Sequence, residues 1–271
     1  MINTSKIEFR DHLRSDLGIK NSDILFVFSG LRDFGKFENG PAGILDTLQD
    51  VLEGGVLILP TFSYSWANGE AFDPCAINAP LMGTIANLSI GRDGFQRTGH
   101  PNFSVNILSK NSEVKSSIMP TSRDAFGDGS VFSNLYLGYP NAKILLIGGV
   151  FPDCGYRSTF IHTAQQISQV WYRYIKYFRD PQSESEDATQ LVRYLSRTEF
   201  ESINGSSPKI KQEFPIIENF TQYSQDLSDL GLLTRSKFGY GYSRMVSVGE
   251  SIDCFRAGLK RYSNYGLHCD A

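Results

Sequence analysis

Apolar residues recur along this chain in two rhythms. Unbroken runs at residues 24–28, 56–59 and 144–147 match strands buried on both faces of a parallel sheet. Between the first two, Ile44, Leu45, Leu48, Val51 and Leu52 recur at helical spacing, with Pro41 suited to the first turn and Gly54 to the stop. This strand, loop, helix, strand order predicts a parallel pair joined by a right-handed crossover. Ahead of it, Ser5 and Glu8 form a capping box. The helix they open is expected to bury Ile7, Leu13 and Leu17, to leave His12 in solvent, and to end at Gly18.

Further along, the pattern predicts a helix at 81–90, a strand at 104–108, a helix from Ser130 to Leu137 and a long helix over 159–178. The polar, acidic segment 180–187 reads as an exposed excursion between an α/β core (about 1–178) and a C-terminal α+β lobe (about 188–271). In that lobe residues 191–197 look strand-like and 216–230 helical. Tyr240, Tyr242 and Arg244 alternate as strand residues do, and Ser247 with Glu250 caps a last helix to about Tyr262.

Composition narrows the function. The net charge of −3 argues against a general nucleic-acid binder, and no run of about 18 apolar residues suits a membrane span. Residues 5–17 are too polar for a signal peptide, so a cytoplasmic protein is expected. Cys75, Cys154, Cys254 and Cys269 lie far apart without CxxC or histidine spacing, which argues against zinc and for free thiols. Only Cys154, in a glycine loop ahead of His162, raises a thiol nucleophile as an alternative.

The candidate chemistry gathers at 143–166, where a buried strand runs into a glycine loop and then a helix carrying His162. Ligands of α/β sheets bind where strands end and helices begin. Ser158 or Thr159 is expected to cap this helix, with His162 on its first turn and Gln165 and Gln166 on the same face. Either His162 is a proton acceptor near neutral pH or it is a helix-start histidine satisfied by its neighbours. The loop after the first strand offers Ser29, Gly30, Leu31 and Arg32 to an anionic cofactor, although it is neither GxGxxG nor a P-loop. The long aromatic loop after Pro60, with Tyr64, suits substrate binding. His100, before Pro101, is a second catalytic group or a turn residue; the loop 126–130, with Gly127 and Ser130, is a phosphate or carbonyl cradle or a tight turn. Arg173 and Lys176 stand among aromatics that can stack on a sugar or base.

Four segments in this order resemble the aminoglycoside 3-N-acetyltransferase family: FVFSGLRDFGKFENGPAGILDTLQDVLEGGVLILPTFSY from Phe26, TGHPNFSV from Thr98, FGDGSVFSNLY from Phe126, and KILLIGGV followed by STFIHTAQQ. The resemblance implies one N-acetyltransferase-like domain over 1–271 with a mixed, largely parallel central sheet flanked by helices. It implies acetyl-coenzyme A, or another acyl-coenzyme A, as donor along Ser29, Leu31 and Arg32 beside the 127–130 loop. It maps the family's histidine onto His162 and its His-Pro turn onto His100-Pro101. The chain departs from the family at Phe28, where histidine is common, and at Gln165, where glutamate is common. A glutamine orients an imidazole without the charge that stabilises an imidazolium.

The chemistry implied is direct acyl transfer to a small-molecule amine, with His162 as general base and no metal. Asp73, Asp128 and Asp153 are carboxylates for a cationic amino sugar, while Arg173 and Lys176 suit a phosphate-bearing one. The expected activity is N-acylation of an amino sugar, a nucleotide-linked one among the candidates, with aminoglycoside modification as the nearest rival. A non-catalytic coenzyme A or sugar-binding paralogue is the alternative of another class.

Overall fold

A computed structural model describes residues 3–62, 73, 75, 82–100, 102–122, 124–148, 158–169, 171–178, 188–196, 216–262 and 265–269, with the backbone alone in 33, 158, 171–178, 188–196, 216–218 and 267–269. Strand β1 (Asn3–Thr4) leads into α1 (Lys6–Asp11), whose capping box between Ser5 and Glu8 forms as expected. A π-helical turn, His12–Asp16, prolongs it, and Gly18 follows at φ 63°. Phe9, Leu13 and Leu17 carry the buried stripe, spaced four residues apart. Ile7, expected inside, is 59% exposed, because two residues from Phe9 is about 200° around the helix. His12, expected in solvent, is buried at 3% exposure.

Next come β2 (Ile24–Gly30), a 3₁₀ turn (Leu31–Phe34), β3 (Lys36–Phe37), which pairs with β1, α2 (Gly40–Val51) and β4 (Val56–Pro60). Helix α3 (Thr84–Ser89), the hairpin of β5 (Phe95–Arg97) and β6 (Val105–Ser109), α4 (Ser112–Ile118), α5 (Val131–Gly138), β7 (Lys143–Gly148) and α6 (Ser158–Ser168) complete this part.

The expected long helix over 159–178 is two elements. Helix α6 stops at Ser168, Gln169 turns left-handed at φ 55°, and β8 (Trp171–Phe178) pairs antiparallel with β9 (Ala188–Ser196). Aromatic residues dominate β8, and they favour strand over helix. Beyond it lie β10 (Ile216–Glu218), α7 (Thr221–Asp229), β11 (Thr234–Phe238), β12 (Gly241–Ser247), α8 (Val248–Arg261) and β13 (Leu267–Cys269), which pairs with β10. The helix expected over 216–230 is therefore a short strand followed by α7. The second capping box, Ser247 with Glu250, starts α8.

The central sheet runs β11-β12-β7-β2-β4-β6-β5. Strand β2 pairs parallel with β4 and β7, and every outer pairing is antiparallel. The sheet is mixed, as expected, but its parallel part is confined to the three apolar central strands. Alternation along them sorts the core. Phe26, Ile58, Ile144 and Leu146 pack with Phe132 of α5, Phe160 and Ala164 of α6, and Ile252 and Phe255 of α8. Leu25, Val27, Leu57, Leu145 and Ile147 pack on the other side with Phe9, Leu13, Ile44, Leu45 and Leu48. Burying one such side chain is worth roughly 1.5–3 kcal/mol, so the register of these strands is set by both faces at once. Strands β11 and β12 bring the C-terminal part of the chain into this same sheet.

Candidate active site

Parallel strands β2 and β7 end side by side, with Gly30 paired to Gly148. Gly148 has φ 65°, and a Cβ there would overlap the Gly30 carbonyl oxygen, so only glycine lets the two backbones meet. Ser29, Gly30 and Leu31 are half-buried at this edge and Arg32 is exposed. Strand β4 ends beside them at Pro60, opposite Val105, so the turn joining β5 to β6 opens on the same edge.

Helix α6 packs Phe160 edge-on to Phe26, 5.2 Å between ring centroids, which seats its first turns against the centre of the sheet. Ser158 is its first helical residue, so His162 lies one turn in rather than on the first turn. His162 is 4% exposed, and its Nδ1 is 3.1 Å from Gln165 Oε1. With that oxygen as acceptor, Nδ1 carries the hydrogen and Nε2 the lone pair. Gln165 is also buried, and its Nε2 has no hydrogen-bond partner. The Phe126 ring stands edge-on to the imidazole at 5.1 Å.

Sequence reasoning missed the residue that ties this corner together. Asp124 Oδ1 accepts the backbone N–H groups of Phe126 and Gly127, each at 3.0 Å, and its Oδ2 accepts Gln166 Nε2 at 2.6 Å. One carboxylate thus straps the glycine loop to α6. A Cβ on Gly127 would overlap both Asp124 Oδ2 and Gln166 Nε2. The signal was an aspartate two and three residues before Phe126-Gly127, the spacing of an Asx turn. Ser130 caps α5 by accepting the Ser133 N–H at 3.1 Å and is 2% exposed, so its oxygen serves the helix. Asp128 is exposed at the tip of the same loop.

At His100 the structure uses the ring as a turn acceptor. Nδ1 takes the N–H groups of Asn102 at 3.2 Å and Phe103 at 3.0 Å. Nε2 is buried without a partner, and so is Asn102 Oδ1. Burial pushes the His100 pKa down to about 4, against the opposing charge of Asp124. Both turn amides need an acceptor, so Nδ1 is not available as a base. His100 and His162 stand at the two ends of a row of rings: His100 to Phe103 is 5.7 Å, Phe103 to Phe126 is 4.7 Å, and Phe126 to His162 is 5.1 Å.

Arg97 was also missed. Its Nη2 donates to Thr61 O at 2.7 Å, and its Nε donates to Thr61 Oγ1 at 3.2 Å and Ser104 Oγ at 3.1 Å. Desolvation lowers its pKa, opposed by Asp73. Asp73 accepts the Cys75 N–H at 2.8 Å, and its carbonyl oxygen lies 3.5 Å from Arg97 Nη1. Arg173 and Lys176, expected within a long helix, belong to strand β8 instead. Tyr64, Asp153, Cys154 and the segment 180–187 lie outside the described residues. Phe28 is buried in the core beside Phe26, 5.0 Å between ring centroids.

Among the described residues there is no cluster of three or more His, Cys, Asp or Glu able to hold a metal, and no helix long and apolar enough to cross a membrane. The fold superposes on aminoglycoside acetyltransferase AAC(3)-IVa with a TM-score of 0.74 at 19% identity, covering 99% of this chain and 93% of that one. It also superposes on AAC(3)-IVa in complex with a gentamicin, at 0.73 and 19% over 100% and 95% of the two chains. AAC-IIIb in a binary complex with CoASH gives 0.67 and 18%, over 96% and 98%. Aminoglycoside N(3)-acetyltransferase IV of Salmonella sp is 31% identical over 88 residues, 32% of this chain and 33% of that protein, so that alignment spans a third of the relative's length. A family model described as aminoglycoside 3-N-acetyltransferase matches residues 26–260, and this chain belongs to that family.

Proposed function

We propose that this protein transfers an acyl group, acetyl in the first instance, from coenzyme A to the amino group of an amino sugar, with His162 as general base. The observation that carries this reading is the buried His162, held through Nδ1 by Gln165 at the edge where β2, β4 and β7 end. Nε2 takes a proton from the acceptor's amine as its nitrogen attacks the thioester carbonyl. The C–S bond then breaks, and the proton returns to the departing thiolate as a free thiol. No covalent enzyme intermediate is needed.

Coenzyme A would lie along Ser29, Gly30, Leu31 and Arg32, with the exposed Arg32 as a cation for its phosphates, beside the loop of Gly127 and Ser130. Bound gentamicin in one structural relative and bound CoASH in another support this donor and acceptor pair. Structural relatives bind apramycin and gentamicin, so aminoglycosides are the first acceptors to assay, followed by a nucleotide-linked amino sugar that Arg173 and Lys176 would suit. Asp73, Tyr64 and Asp153 remain the proposed acceptor-side residues, and a coenzyme A donor is in keeping with a cytoplasmic protein.

The test is thiol release from acetyl-coenzyme A with gentamicin or apramycin, with the product identified by mass. Turnover that collapses in His162→Ala is the expected result. Ligand binding without His162-dependent turnover would make the chain a non-catalytic binder.

A further inference from the structure

His100 carries two features that no turn residue needs together. Its Nδ1 is saturated by two backbone N–H donors, at 3.2 and 3.0 Å, which forces the hydrogen of the neutral ring onto Nε2. That Nε2–H is closed off from solvent and meets no acceptor. A buried, unsatisfied donor typically costs about 1–3 kcal/mol, and most buried polar groups in native proteins avoid this. The turn holding it opens on the edge where β2, β4 and β7 end, and its ring begins the row that runs through Phe103 and Phe126 to His162.

We propose that His100 is a fixed, neutral hydrogen-bond donor of the active site, presenting Nε2–H to an uncharged oxygen of a bound reactant, and that it takes no proton during the reaction. This rests on the acyltransferase reading above and divides the two histidines by tautomer. His162 offers a lone pair at Nε2, and His100 offers a hydrogen there. The oxygen is the thioester carbonyl, which gains negative charge as the amine attacks, or a hydroxyl or ether oxygen of the sugar. A neutral imidazole suits either. Its proton is not lost to the oxygen, and it places no second positive charge beside a cationic acceptor.

The experiment is a long-range ¹H–¹⁵N spectrum of the full chain labelled at histidine, with its four histidines assigned by single replacements. His100 is expected to show a bare Nδ1 and a protonated Nε2, unchanged between about pH 8 and about pH 5.5, whereas an ordinary histidine titrates near 6.5. An Nδ1–H tautomer, or titration between about pH 6 and 7, overturns the proposal. Acetyl-coenzyme A and gentamicin are then added separately. A shift of the Nε2–H signal with the first identifies the thioester oxygen, and with the second a sugar oxygen. No shift with either overturns the donor role and leaves a ring satisfied by an internal water.

His100→Asn adds a kinetic reading. The asparagine Oδ1 can accept the same two amides, while the Nε2–H is gone. Loss of one such donor is expected to lower kcat by about 10²-fold with the unfolding temperature held. Wild-type kcat in a folded His100→Asn protein overturns the proposal. Absence of turnover in the unmodified protein instead defeats the acyltransferase reading, and the tautomer and ligand shifts still judge His100.

Discussion

Two buried histidines on opposite faces of one sheet make an instructive pair. His12 holds Asp16 at 2.8 Å through Nδ1 and Ser243 at 2.9 Å through Nε2, the bonding order of a Ser-His-Asp triad. Yet Ser243 is fully buried in β12, among Met245 and Ile147 of the α1–α2 face, and His12 stacks on Phe238 at 4.5 Å. Both His12 nitrogens are bonded inside the fold and Ser243 lies within the sheet, so the constellation is a strut joining the N-terminal helix to a strand 231 residues later. Across the sheet, the His162 corner is less complete. Thr159 Oγ1 and Gln165 Nε2, and at the other end of the ring row His100 Nε2 and Asn102 Oδ1, are buried without partners. The His12 strut is satisfied on both ring nitrogens, whereas this corner keeps unspent hydrogen-bonding capacity that a reactant can use.

The sharpest way to break that comparison is to exchange the two losses. His162→Ala is expected to lower kcat by about 10³-fold, within the usual range for a general base, with little change in thermal stability. His12→Ala should do the reverse, costing about 2–4 kcal/mol in denaturant unfolding while folded molecules keep wild-type kcat. A His12→Ala protein that is stable but inactive would end the reading of His12 as a strut.

Gly127→Ala comes next. Its added methyl must displace the Asp124 carboxylate or the Gln166 amide, so about 1–3 kcal/mol of stability should be lost, and KM for acetyl-coenzyme A should rise. Asp124→Asn is a milder version, since Oδ1 still accepts the two loop amides but an amide N–H group now faces Gln166 Nε2. The loss there should be about 1–2 kcal/mol, read from urea unfolding.

Both His12 and His100 also predict a pH dependence of stability. Burial lowers the pKa of His12, opposed by Asp16, and pushes that of His100 down to about 4, so folding disfavours protonation of both rings. The unfolded chain takes up these protons near pH 6.5. Their contribution is therefore full above about pH 6.5 and declines as the pH falls, for His100 down to about pH 4 and by roughly 1–2 kcal/mol at about pH 5. His12→Phe should flatten part of this decline in unfolding measured across that window.

The smallest expected effect is a gain. Gln165→Glu puts a carboxylate behind Nδ1, which stabilises the imidazolium formed in the reaction and should raise kcat a few-fold, about threefold, on the alkaline plateau where the ring starts neutral. A fall in kcat would mean that the glutamine amide contributes something a carboxylate cannot.

Local signals were read well from the residues. Both capping boxes, the Pro41 start of α2, the Gly18 stop and the three apolar central strands stand where spacing put them, because each depends on neighbours a few residues away. His162 with Gln165 was legible for the same reason, being three residues apart on one helix. Helix and strand were confused at residues 171–178, where an aromatic run satisfies either pattern and the partner that decides, β9, lies beyond an acidic segment. The role of Asp124 was hidden because half of it lies in Gln166, 42 residues on.

By itself, then, the sequence determined the elements, their caps and the identity of the helix that carries the candidate base, since these follow from chemistry repeated over one or two turns. Tertiary structure alone decided which polar atoms are left unpaired. Burial of His12 required β12 to join the sheet beside β7, and closure of His100 Nε2 required the β5–β6 turn to fold against the ring row. Whether a histidine is a strut, a base or a donor depends on what faces each ring nitrogen, and those partners arrive from distant parts of the chain.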